Sequence, residues 1–314
     1  MTLFFSTLNQ MGFLLLLMVV GFALVKLKAV PDNCAQVLSK LESNVFIPAL
    51  VMGTFMSKFT PDSISVSGKY LLCGLVVVCV CIPIAILAGK GLSKDAYLRN
   101  IYTYGLAFSN FGFMGNAVVQ ALFPEVFVNY LIFVLPFWAA IYMWGTPFLL
   151  IGGVEKKRGL RSIFKPFLNP MFVGMIIGVV LGLSRLPIPA FMGSAVDTLG
   201  ACMSPVAMLL TGMTIARIDL KNAFTNVTIY VTSIIRLVIL PLAAIGVLLL
   251  VKLEYSLALC VVCCLAMPLG LSPVVVPAAY GKDTSDAAGM TLISHLLSCI
   301  TIPLVFMLFS KLIT

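Results

Sequence analysis

The chain has 314 residues, 61% hydrophobic and only 10% charged, where a soluble domain carries roughly a quarter charged residues. That composition excludes a water-soluble globule and leaves no stretch for a separate soluble domain. The net charge of +9 does not point to nucleic acid, because Lys and Arg sit in short loops between apolar runs, with no aromatic-interleaved basic patch.

A spanning helix takes roughly 20 apolar residues, and the chain divides into ten such runs, an all-α integral membrane pattern. The first, 8–27, has no Lys or Arg before it and no small-residue cleavage site after it, so it reads as a spanning helix and not a secretory leader. The second, 34–56, contains Lys40 and Glu42, and the third covers 66–89. The fourth, 99–122, holds Ser109-Asn110-Phe111-Gly112-Phe113-Met114-Gly115-Asn116, and the fifth covers 127–151. A basic stretch at 153–167 then divides the chain into 1–152 and 168–314.

The sixth run is 168–185, and the seventh, 191–216, carries Asp197. The eighth, 225–251, has Arg236 well inside it. The ninth, 256–280, reads Met267-Pro268-Leu269-Gly270-Leu271-Ser272-Pro273 at its middle, with Pro277 beyond, and the tenth, 287–311, contains the single histidine, His295. The nine cysteines lie mainly inside these runs, and Cys260, Cys263 and Cys264 lack zinc-like spacing. They read as buried thiols, with no metal, cofactor or catalytic residue expected.

Thirteen Lys and Arg residues follow the odd-numbered runs and five follow the even-numbered ones. The positive-inside rule therefore predicts both termini outside, the 153–167 linker in the cytoplasm, and a multi-pass protein of the plasma membrane. A shift of 157 residues superposes Gly21 on Gly178, Lys28 on Arg185, Pro48 on Pro205 and Thr54 on Thr211; a shift of 158 matches Pro83 with Pro241 and Gly112 with Gly270. With five spans per half, the second copy must enter the membrane upside down. Two inverted copies can exchange conformations, which gives inward-open and outward-open states of similar energy.

Gly pairs in run 4 and Pro pairs in run 9 weaken the backbone ladder in mid-span, so both helices are expected to break. Paired interruptions in the two halves point to a substrate site, and the freed N–H groups favour an anion. The candidate binding residues are Asn110, Gly112, Gly115, Asn116, Pro268, Gly270 and Ser272. For Asn110 and Asn116 two readings stay open, a ligand role or satisfaction of freed backbone groups. Arg236 has three, a counter-ion to a substrate carboxylate, a pair with an acidic residue, or a cap on carbonyls freed at a helix break. Intramembrane charges are functional candidates by default, so Glu42, Asp197 and His295 are candidates for ion coupling, with Asp197 placed by the repeat opposite Lys40 as an internal ion pair. Near the interface, snorkelling suffices for Lys40 and Glu42, and His295 can equally be a hydrogen-bonded packing residue.

These features favour a secondary carrier over a channel, a membrane sensor or a neutral-solute carrier. No Walker A, His-Glu-x-x-His or Gly-x-Ser-x-Gly sequence occurs, which argues against a pump or an intramembrane enzyme.

Ser43-Asn44-Val45-Phe46-Ile47-Pro48-Ala49-Leu50, the Asn110–Gly115 stretch, Met267–Pro277, and Ser294-His295-Leu296-Leu297-Ser298 with Thr301-Ile302-Pro303-Leu304 occur in order along the whole chain. In this the sequence resembles the auxin efflux carrier family, in its bacterial members. The resemblance implies ten helices as two inverted five-helix repeats, with helices 4 and 9 broken and crossing. It also implies a scaffold of helices 1, 2, 6 and 7, a mobile transport domain, and organic acids as substrates. Asn110 and Pro268 are the positions carried over. The family pattern has Thr where this chain has His295, and the plant crossover has Pro in both broken helices where run 4 has Gly112 and Gly115. The partners so implied are a small organic anion, a proton or sodium ion, the bilayer and, by analogy, a second copy of the chain.

Overall fold

The computed structural model describes residues 2–151, 168–217 and 224–313. The basic linker 153–167 and Lys221 of the topology count lie outside the described residues. Among those described the backbone is helical throughout, apart from loops and one isolated antiparallel bridge, Ser109 to Leu269.

The first half comprises α1 (Thr2–Lys26), α2 (Cys34–Leu41), α3 (Ile47–Lys58), α4 (Pro61–Leu92), α5 (Ala96–Ala107), α6 (Asn116–Leu122), α7 (Phe127–Phe133) and α8 (Leu135–Ala140). The second comprises α9 (Pro170–Ser184), α10 (Ala190–Ala201), α11 (Met203–Ile215), α12 (Val227–Ile234), α13 (Leu240–Val251), α14 (Tyr255–Ala266), α15 (Ser272–Ala278) and α16 (Ser285–Ile313). Widened π turns at Glu42–Phe46 and Ile235–Ile239 lead directly into Pro48 and Pro241. A proline lacks the N–H and crowds the carbonyl four residues back, so the turn ahead of it opens without ending the helix. The side chains of Asp95, Asn169 and Asn226 cap α5, α9 and α12 by accepting from Leu98, Phe172 and Thr228 N–H.

Among the described residues, six helical stretches are long and apolar enough to cross a bilayer: Leu3–Lys26, Ile64–Leu92, Phe127–Leu150, Ala190–Ile215, Val227–Val251 and Ser285–Ile313. The other expected runs differ for local reasons. The sixth folds only over the 15 residues of α9, about 22 Å at 1.5 Å per residue, short of the roughly 30 Å hydrocarbon core. Runs 4 and 9 are interrupted, and the second run is crossed by Lys40 and Glu42. Outward-facing Leu72, Val76, Val80 and Leu87 on α4 leave an apolar face that only lipid or another apolar surface would cover.

Packing is closest where glycines let backbones touch. Gly21 of α1 lies against the Leu209 carbonyl of α11, and Gly178 of α9 against the Met52 carbonyl of α3. Thr54 donates to the Leu50 carbonyl, and Thr211 to that of Ala207. Lys28 and Arg185 both adopt left-handed backbone, with φ of 53° and 51°. The members of each of these pairs stand 157 residues apart.

Glu42 is fully buried and neither carboxylate oxygen has a hydrogen-bond partner. An unsatisfied buried polar group costs about 1–3 kcal/mol, and a charged one more. Glu42→Gln keeps the shape and removes the charge, so it is expected to raise the unfolding midpoint in detergent by about 2–4 °C. A lowered midpoint would show that the carboxylate is stabilising where it sits.

Candidate functional site

The two interrupted helices meet at their breaks. Phe108 leaves α5 in an extended conformation, and the chain re-enters helix at a π turn, Phe111–Gly115, that continues into α6. On the other side Met267 leaves α14 extended, and helix resumes at α15. The extended pieces run antiparallel: Asn110 N–H donates to the Pro268 carbonyl at 2.7 Å, and the Ser109 hydroxyl donates to the Cys264 carbonyl at 2.7 Å. Each break frees carbonyls that a buried site must satisfy.

Arg236 does much of this. It is fully buried in the π turn between α12 and α13. Nη1 donates to the Leu106 carbonyl at 2.9 Å, Nε to Met267 at 3.2 Å and Nη2 to Cys264 at 3.2 Å. Of its three sequence readings, the cap on freed carbonyls is the one these bonds display, and a single guanidinium ties the ends of α5 and α14 together. None of its bonds goes to a carboxylate.

The third wall is α16. Ser294 Oγ accepts from Leu269 N–H at 3.1 Å, and the Thr291 hydroxyl lies 3.4 Å from the Gly270 carbonyl. His295 Nδ1 lies 2.7 Å from the Thr291 carbonyl, and Nε2 lies 3.2 Å from Asn110 Nδ2. Asn110 is buried, and its Oδ1 has no partner.

The structure thus brings Asn110, Pro268, Gly270, Arg236 and His295 together, with Ser272 opening α15 one turn beyond. Gly112 and Gly115 face inward packing: a Cβ on Gly112 would strike the Trp138 ring, and one on Gly115 the Tyr130 hydroxyl, which itself donates to the Phe111 carbonyl at 3.0 Å. Asn116 is buried on a different face, beside Phe55 and Trp138, with Oδ1 unpartnered.

The expected Lys40–Asp197 ion pair is not formed. Both side chains are exposed, and Asp197 instead lies beside Gly53 of α3. α2 packs on α11, whereas α10 packs on α3 and the π turn that leads into it, so equivalence under the repeat does not bring Lys40 and Asp197 into contact. Asp197 lines a cavity of about 320 Å³ between α3, α6, α7 and α10, together with Thr54, Lys58 and Gln120. At its rim the Lys58 ammonium donates to the Pro124 carbonyl at 2.8 Å. Glu42 does not line it.

Thr291, Ser294, Tyr130 and Trp138 were missed as neighbours of the breaks. Thr291, Ser294, His295 and Ser298 follow i, i+3, i+4, i+7 spacing, a polar stripe on an apolar helix that helical periodicity makes readable. The two aromatics carry no such signal, since large rings are common throughout the chain.

An uncharacterized transporter of Methanothermobacter thermautotrophicus is 25% identical over 305 residues, covering 92% of this chain and 94% of the relative. The family described as membrane transport protein matches residues 6–306. With that match over nearly its whole length, this multi-pass membrane chain belongs to the membrane transport protein family, the auxin efflux carriers that its motifs resemble.

Proposed function

We propose that this transporter is a secondary carrier that moves a small organic anion, a mono- or dicarboxylate, across the plasma membrane by alternating access. One observation carries the substrate class. The Arg236 guanidinium is fully buried at the crossing of the two broken helices, and its bonds go to carbonyls and to no acidic side chain. A buried cation without a counter-ion is costly, and an anion arriving at the crossing relieves that cost through space without displacing the capping bonds.

The mechanism rests on ten spans as two inverted five-helix repeats, 1–152 and 168–314, with both termini outside. Its support is the set of matched details at one offset: the Gly21–Leu209 and Gly178–Met52 contacts, and the left-handed ends at Lys28 and Arg185. In this reading α1, α2 with α3, α9, and α10 with α11 form the scaffold, and a second copy of the chain would dock on it. The crossing rides on the remaining helices. The cavity beside Lys58 and Gln120 is the water-filled approach, bounded by both groups of helices. A second reading, a carrier of zwitterionic solutes, draws on the presence of Lys58 and Asp197 together in that cavity.

The test is charge movement and counterflow in proteoliposomes across a panel of mono- and dicarboxylates that includes malonate and malate. Saturable, substrate-specific flux is expected, and silence in both assays would retire the anion reading. Asn110→Ala is expected to lower transport about tenfold at unchanged expression, roughly the loss of one charge-assisted hydrogen bond. Normal saturation kinetics in that variant would remove Asn110 from the site.

A further inference from the structure

The pairing of His295 with Asn110 fixes which group each presents. Nδ1 of His295 lies 2.7 Å from the Thr291 carbonyl, an acceptor only, so Nδ1 carries a proton. In the neutral ring Nε2 is then a lone pair, and it accepts from the Asn110 amide at 3.2 Å. The amide is thereby turned so that Oδ1, buried and without a partner, is the group left free at the crossing. A free acceptor is the wrong face for an anion.

Protonating Nε2 reverses this. Nε2–H then donates, the amide must rotate to accept through Oδ1, and its NH₂ group becomes the free donor beside a charged ring. We propose that His295 is the proton-binding site of the carrier, and that Asn110 converts its protonation into anion affinity, so that proton and anion bind as a pair. The proposal rests on the anion reading above.

Among the described residues, no carboxylate close by offers the imidazolium another counter-ion. Among the helices packed on α16, α11, α13 and α15 carry no titratable side chain. α1 brings Lys26 at its end, α12 Tyr230, the π turn Arg236, α5 Arg99, Tyr97, Tyr102 and Tyr104, and α14 Tyr255 with the thiols Cys260, Cys263 and Cys264. Asp286, on α16 itself, lies more than two turns away, where it accepts from Tyr102 and Asn226. A proton alone adds a second buried cation to Arg236, and an anion alone meets Oδ1. Only the pair satisfies both, which is the condition for tight coupling.

Because the chain has one histidine, its ring nitrogens give a single set of ¹⁵N resonances in protein labelled at histidine and held in lipid nanodiscs. The expected result is the Nδ1–H tautomer in the ligand-free protein. On adding malonate, a doubly protonated ring is expected at about tenfold lower proton concentration, a coupling within the usual range. His295→Gln is expected to flatten the pH profile of proton-driven malonate uptake. An Nε2–H tautomer, or a ring whose titration malonate leaves unmoved while malonate counterflow runs in liposomes, overturns the proposal. Absence of malonate and malate counterflow sinks the anion reading itself, and the coupling falls with it.

Discussion

Arg236→Leu is expected to abolish recovery of folded protein, the largest single effect in the chain. Three carbonyls, of Leu106, Cys264 and Met267, lose the guanidinium at once. Two effects oppose each other. Removing a buried, unpaired cation relieves its desolvation, while the Leu106 and Met267 carbonyls are left bare in a low-dielectric interior and Cys264 keeps only the Ser109 hydroxyl. The second wins because the breaks are pinned by the Asn110–Pro268 and Ser109–Cys264 bonds, so the orphaned groups cannot turn toward water. Breaking a buried charged network costs about 3–5 kcal/mol, a large share of a stability near 5–15 kcal/mol. Arg236→Lys separates packing from charge: it keeps the cation but replaces a rigid fork with a compact ammonium. That variant is expected to fold with a lowered unfolding midpoint and to keep anion selectivity. Size-exclusion profiles in detergent and anion counterflow measure the two effects. Arg236→Leu that elutes and melts as the parent does would show that the caps are dispensable.

What the sequence revealed, and what it hid, follows from the range of each interaction. Apolar length and loop charge are local, so the helical, multi-pass character was readable, as were breaks near Ser109–Asn116 and Met267–Pro273. Where within run 4 the break falls was not: the Gly112–Gly115 pair suggested it, yet the chain leaves helix at Phe108 and the glycines lie in a π turn against Trp138 and Tyr130. Those glycines answer to aromatic rings on the following run, a contact that no local pattern encodes. Arg236 could be flagged as an intramembrane charge, but its choice among a carboxylate, a substrate and carbonyls depended on α5 and α14 arriving from opposite halves. The Lys40–Asp197 pair failed because symmetry relates positions and not contacts. His295 with Thr291 was legible as helical spacing, while its bond to Asn110 bridges 185 positions.

Gly21→Val and Gly178→Val are expected to destabilise the protein by similar amounts, and together their effects should add. At each position an added Cβ meets backbone, the Leu209 carbonyl in one case and that of Met52 in the other. Backbone in a packed helix pair cannot swing aside as a side chain would, so the cost falls at or above the top of the roughly 1–3 kcal/mol range for overpacking. The contacts lie in separate helix pairs, α1 with α11 and α9 with α3, which is the condition for additivity. Gly12→Ala and Gly246→Ala are the controls, since nothing lies within 4 Å of a Cβ at either site. They are expected to melt like the parent or slightly above it, Ala being the better helix former. Thermal unfolding of the purified variants in one detergent reads all of these. The comparison bears on mechanism as well as on packing. If the two close approaches are copies of one ancestral contact, matched penalties follow from matched geometry. Under the proposed alternating-access mechanism, a scaffold built from two such contacts would stay rigid while the crossing moves past it. Gly178→Val that melts with the parent while Gly21→Val collapses would break that equivalence, and with it the structural support for the inverted repeat.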